Sequence, residues 1–152
     1  MKKAEWGPVI WNLLHCITLK IKDEYFDKEK PNLINMIENI CSNLPCPMCA
    51  SSALKILKTR KISSIKNKDQ LIIFIFLLHN EVNKKTKKPI AKKEIVDTYK
   101  TKNFINILNE YYNLMNHRLK YNERLMYMIH RRKSFINTYR NYFKNNINKF
   151  DN

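Results

Sequence analysis

Cys46 and Cys49 stand either side of Pro47 and Met48, and two thiols at that spacing can close a small disulfide ring and reopen it by exchange with an incoming thiolate. Proline suits the first turn of a helix, where its missing N–H costs nothing, and it restrains the residue before it. The pair is therefore predicted at a helix N-terminus, with Cys46 at the exposed mouth and Cys49 one turn in and shielded. There the unpaired backbone N–H groups and the positive end of the helix dipole favour a thiolate over a thiol of ordinary pKa, about 8.5. This chemistry is redox chemistry first, but a C-x-x-C pair also serves zinc sites and thioredoxin-like folds, so the neighbours must decide.

Two further groups carry polar or aromatic chemistry on apolar helical patterns. Trp11 and His15 lie four apart, with Trp6 and Gly7 just before them; each alone reads as ordinary core. His79, Asn80, Glu81, Val82 and Asn83 end the most apolar segment of the chain. His79 and Asn83 share one face with Val82 beside them, while Asn80 falls on an adjoining stripe. Such groups need polar partners, because burying one unpaired costs about 1–3 kcal/mol. Nearby backbone could supply them, and so could a ligand with ring nitrogens, hydroxyls and phosphates. Lys84, Lys85, Lys87 and Lys88 follow before Pro89, which reads as a solvated face or as cations at the mouth of a pyrophosphate site.

The elements that position these residues are helical. One glycine and five prolines in 152 residues leave little material for hairpins, so an all-α fold follows. A first helix is expected to start at Pro8, with Ile10, Leu13, Leu14, Ile17 and Ile21 inward. Asp23 to Lys30 is expected to be a loop, and a second helix to run from Pro31 to the dithiol. A third should carry Cys49, Ala53, Leu54 and Leu57 inward. A basic connection from Arg60 to Lys68 leads to a fourth over about Asp69 to Lys85, and a short fifth involves Ile95, Val96 and Tyr99. Helical spacing continues from about Lys102 to the end through a basic, tyrosine-rich tail. No apolar run reaches membrane-spanning length, and no secretory segment is expected before Trp6. The formal charge of +16 is spread among many asparagines and isoleucines, as compositional bias would leave it, although it also permits an acidic or nucleic-acid partner. Cys16 and Cys41 fall in apolar helical patterns and are expected to be buried thiols.

Assembled, these residues resemble the Erv/ALR family of FAD-linked sulfhydryl oxidases, most of all its compact members from large DNA viruses. Gly7, Trp11 and His15 match that family's first-helix residues, Cys46 and Cys49 its dithiol, and His79 to Asn83 its H-N-x-V-N element. Lys88 and Pro89 match the lysine and proline just after it. The separations of 31 residues from His15 to Cys46 and 30 from Cys49 to His79 also suit the family. The resemblance covers residues 6 to 100. It implies a four-helix bundle plus a short fifth helix in a domain over residues 1–101, a C-terminal helical extension over residues 102–152, and a homodimer as the assembly. It implies FAD as cofactor, held by Gly7, Trp11, His15, Cys49, His79, Asn80, Val82, Asn83, Lys88 and Tyr99, with Cys46 and Cys49 catalytic and no metal.

The implied reaction starts with a substrate thiolate attacking Cys46; Cys49 then passes two electrons to the flavin, and dioxygen leaves as hydrogen peroxide. The substrate would be a thiol-bearing protein or a small redox shuttle, in the cytoplasm of an infected cell or in the virion. Departures from the family's pattern are visible. No cysteine follows Cys49 to form the extra structural disulfide of cellular relatives, Lys20 and Ile21 stand where the family has tyrosines, and no distal shuttle C-x-x-C is present. Two competing readings remain. One is a zinc module using Cys41, Cys46, Cys49 and a histidine, which lacks a second ligand hairpin. The other is a nucleic-acid-binding protein using Arg118, Arg124, Arg131, Arg132, Lys133 and Arg140 of the tail; a helical tail that packs on the bundle or widens a dimer interface is the simpler expectation.

Overall fold

A computed structural model describes residues 2–120 and 126–152. The elements are α1 (Lys3–Lys20), α2 (Asp23–Ser42), α3 (Pro47–Thr59), a 3-10 turn (Ile62–Ser64), α4 (Lys68–Lys85), α5 (Ile95–Lys100), α6 (Phe104–Lys120), α7 (Met126–Asn146) and a final 3-10 turn (Ile147–Lys149). The fold is all-α, and no strand occurs among the described residues. The first four helices bundle around Leu13, Leu14 and Ile17 of α1, Ile37 and Ile40 of α2, Leu57 of α3, and Leu71 and Ile75 of α4, all almost wholly buried. Neutral-length apolar side chains at 3.6-residue spacing drive this packing, each fully buried one stabilising by roughly 1.5–3 kcal/mol.

Three local expectations are corrected. α1 begins at Lys3 rather than Pro8, which lies inside it. The Lys2 backbone N–H donates to the Glu5 carboxylate at 3.0 Å, so the extra turn is capped, and Pro8, the sixth residue of the helix, leaves the carbonyl of exposed Ala4 without its intrahelical donor, where water can satisfy it. Asp23 to Lys30 is not a loop: α2 runs through Pro31 without a break. Asp23 and Glu24 suit the positive end of a helix, Phe26 and Glu29 are buried, and Pro31 and Asp27 face solvent, where water can satisfy the carbonyl that proline leaves unpaired. Leu54 is exposed on α3, and Ala50 and Ile56 take the inward positions with Ala53 and Leu57.

The tail returns to the bundle. Phe104 and Tyr111 of α6 are fully buried in the same apolar core, where α6 packs along α1. Phe143 and Phe150 close on Phe104 with ring centroids 5.8 and 5.1 Å away. Phe150 makes an isolated antiparallel bridge to Ile21, and the Asn152 side chain accepts the Phe104 N–H at 3.1 Å, capping α6. Glu29, 3% exposed, accepts hydrogen bonds from Tyr142, Asn32 and Lys149. Of the basic tail residues, Arg132 is buried and Arg140 lies over the Tyr112 ring, while Arg131 and Lys133 are exposed. Arg124 lies outside the described residues. Among the described residues no helix is long and apolar enough to cross a membrane.

Candidate active site

α3 begins where the sequence places it. Pro47 is its first residue and Cys46 its N-cap, and the Cys46 sulfur accepts the Cys49 backbone N–H at 3.1 Å. Cys46 and Cys49 form a disulfide with Cα atoms 5.1 Å apart. Both residues are half-buried, so burial does not rank them as mouth and interior. What distinguishes them is the cap: a thiolate on Cys46 would hold a helix N–H, which lowers the cost of its charge. Met48 between them is 83% exposed.

The disulfide lies on the wall of a mostly apolar cavity of about 590 Å³ between α1, α3, α4 and α5. Gly7 and Trp11, Cys46 and Cys49, His79, Val82 and Asn83, and Lys88 and Tyr99 all line it. Lys3, Met48, Ser52 and Leu78 also line it, and the motif-based reading did not single them out for it; Lys85, one of the run of lysines read as a solvated face or as cations at a pyrophosphate mouth, lines it too. Spacing held the signal for two of these: Ser52 follows Cys49 by one turn, and Lys85 follows Val82 by one turn. Gly7 is buried, yet a Cβ built on it meets nothing within 4 Å. Its missing side chain is space that belongs to the cavity.

Two stacked ring pairs stand at one end of the cavity, with Trp11, His79 and Tyr99 in its lining. Trp11 lies on His79 with centroids 3.9 Å apart and planes 9° apart, and His15 on Tyr99 at 4.2 Å and 13°. His15 and His79 are joined by a 3.0 Å contact between His15 Nε2 and His79 Nδ1. His15 does not line the cavity; it is fully buried behind it. Burial, and then His79, push its pKa down to about 3; burial, and then Lys88, push His79 down to about 4. Both rings are neutral at pH 7, so the contact holds one proton. His15 Nδ1 is buried without a partner, and a bare lone pair is cheaper there than an unpaired N–H. His15 Nε2 then donates to His79 Nδ1, which leaves the other His79 nitrogen carrying a proton for the cavity.

Asn80 is not brought to the cavity. Its amide donates to the Ala91 carbonyl at 3.0 Å and accepts the Ala91 N–H at 2.8 Å, because the adjoining stripe of α4 faces the segment after it. That pairing pins the chain beyond α4. The helix ends in a 6→1 bond from the Lys88 N–H to the Asn83 carbonyl at 2.9 Å, with Lys87 left-handed at φ 54°. Glycine is the usual residue there, and this turn sets Lys88 at the cavity. Cys16 and Cys41 are buried free thiols, pushed up by burial to about 11 and about 12; neither is a ready thiolate. Among the described residues no group of three or more histidines, cysteines or carboxylates could hold a metal ion.

An all-α bundle with an N-capping disulfide set into the wall of an aromatic-ended apolar cavity defines a dithiol redox protein with room for a planar cofactor. Residues 8–104 match the model of the Erv1 / Alr family, and the chain belongs to that family. Two African swine fever virus proteins named FAD-linked sulfhydryl oxidase are each 35% identical over 85 residues, 56% of this chain and 71% of theirs. A similarly named protein of Invertebrate iridescent virus 3 is 28% identical over 97 residues, 62% of this chain and 66% of its own. No solved structure gives a significant match.

Proposed function

We propose that this chain is a FAD-dependent sulfhydryl oxidase that forms disulfides in protein clients. The observation that carries this reading is the Cys46–Cys49 disulfide in the wall of the cavity that Trp11, His79 and Tyr99 close at one end. The names of the viral relatives support it. The cavity fits the cofactor in shape and chemistry: an apolar trough, stacked rings at one end, clearance at Gly7 and a lysine at the mouth. Trp11, His79 and Tyr99 would hold the aromatic end, with His15 acting through His79. Val82 and Asn83 would line the ring system, Lys88 would face the phosphates, and Cys49 would lie nearest the flavin. Asn80 acts at one remove, by pinning the segment that follows α4. Residues 1–101 would carry this site, with residues 102–152 as an extension packed on it.

A client thiolate attacks Cys46 Sγ, the Cys46–Cys49 bond breaks, and Cys49 leaves as a thiolate. A second client thiolate attacks the client sulfur of the mixed disulfide, closing the client disulfide and releasing Cys46 as a thiolate held by the Cys49 N–H. The client loses two electrons and two protons, and the dithiol gains the electrons. Bound FAD would supply the two-electron acceptor that ground-state dioxygen cannot replace in direct reaction with thiols, with dioxygen as the final acceptor and hydrogen peroxide as the product. Cys16 and Cys41 are too deeply buried to relay thiols from a client, so a separate thiol-bearing protein or small redox shuttle reacts directly with Cys46. The enzyme works as a homodimer in the infected cell's cytoplasm, where thiols otherwise stay reduced, or in the virion. Oxygen uptake by the purified protein with dithiothreitol tests the activity. A colourless preparation that FAD does not reconstitute contradicts it.

A further inference from the structure

The cavity lining around the disulfide carries cations and no carboxylate. Lys3, Lys85 and Lys88 line the cavity mouth with Cys46 and Cys49, and no aspartate or glutamate does. Helix α3, which presents the disulfide, contains no acidic residue. Lys85 Nζ donates to Ser52 Oγ at 3.2 Å, one helical turn from Cys49, so one of these cations is held beside the sulfurs. Lys84 and Lys87 extend the same exposed end of α4. Of the carboxylates on the adjacent helices, Glu81 pairs with Arg60 at 2.7 Å, Glu5 accepts the Lys2 N–H, and Glu38 of α2 lies outside the cavity lining, on the side of the buried Cys41. A cofactor diphosphate would occupy Lys88 and leave the others facing solvent. Met48, between the two cysteines and in the cavity lining, is an exposed apolar contact, adaptable to varied partners.

We infer that the client or shuttle of this oxidase presents its dithiol on an acidic segment, drawn to Cys46 by Lys3, Lys84, Lys85 and Lys87 and seated on Met48. This rests on the oxidase reading. A single-sign cluster beside a reactive group raises encounter rates by roughly 10- to 1,000-fold, and salt screens it over a Debye length of about 8–10 Å. A nucleic acid would feel the same field but has no thiol to oxidise.

The test compares synthetic peptides carrying one C-x-x-C flanked by aspartates, by serines or by lysines, oxidised by the full-length FAD-loaded protein, with dithiothreitol as the neutral reference. At low ionic strength kcat/KM for the acidic peptide exceeds that for the basic one by about tenfold or more, and the ratio collapses towards one at high salt. A Lys3→Glu/Lys84→Glu variant lowers the ratio at low salt. Equal rates for the three peptides, a basic peptide that is faster, or a ratio that salt does not change would overturn the inference while dithiothreitol turnover keeps the oxidase reading. No turnover of dithiothreitol removes both.

Discussion

Gly7 offers a perturbation whose two consequences run in opposite directions. It lies inside α1, where glycine destabilises a helix relative to alanine by about 1 kcal/mol. A Cβ there meets nothing within 4 Å, so Gly7→Ala carries no steric debit. The cofactor-free protein should therefore gain about 0.5–1 kcal/mol, which for a chain of this size raises Tm by roughly 1–4 °C. The same direction leads into the cavity, and a longer side chain would fill it. Gly7→Leu should leave the cofactor-free protein folded but weaken FAD retention by at least about tenfold, or about 1.4 kcal/mol. Calorimetry of the apoprotein and FAD titration followed by flavin fluorescence read the two effects separately. A loss of apoprotein stability in Gly7→Ala would mean that the Cβ meets protein. Unchanged FAD affinity in Gly7→Leu would mean that the cofactor sits elsewhere.

Other outcomes follow from the same geometry. Lys87→Gly relieves a left-handed residue at the end of α4 and should raise stability by up to about 1 kcal/mol in denaturant titrations; a loss would show that the lysine side chain holds the turn. Glu29→Ala strands Lys149 and Tyr142 at the junction of α2 with the tail and should cost about 3 kcal/mol. A change below about 0.5 kcal/mol would mean that water replaces the carboxylate without penalty. His15, fully buried with its pKa held down at about 3, is more easily protonated in the unfolded chain at about 6.5. Its contribution is complete above pH 6.5 and is lost as pH falls towards 3, about 2 kcal/mol of it by pH 5. A His15→Phe variant should show a shallower fall in stability over pH 6.5 to 5; an identical slope would place that titration elsewhere.

How far the sequence reaches can be traced residue by residue. The start of α3 was legible because Pro47 and the cysteine spacing are local signals. The extent of α4 and the presence of a short α5 were legible because apolar residues recur at helical spacing. The first half of α2 was not, because Pro31 reads as a breaker until Phe26 and Glu29 are known to be buried. Glu29 is buried by Tyr142 and Lys149, more than a hundred residues away. The motif residues around the cavity were recognisable by type and order. The division of labour between them was not: Asn80 carries the same chemistry as Asn83 but spends it on Ala91, and His15 sits behind the wall that Trp11 forms. Lys85 was hidden in a lysine run until Ser52 distinguished it.

The central claim is that the Cys46–Cys49 disulfide and the flavin seat are two sides of one wall, with Cys49 as the link. Anaerobic titration of the FAD-loaded protein with dithiothreitol, followed at the flavin absorbance near 450 nm, tests it directly. The wild type should take up about two dithiol equivalents per chain, one for the disulfide and one for the flavin. Cys49→Ser should retain FAD but not be bleached on the timescale of turnover. Equal bleaching of Cys49→Ser and wild type would contradict it.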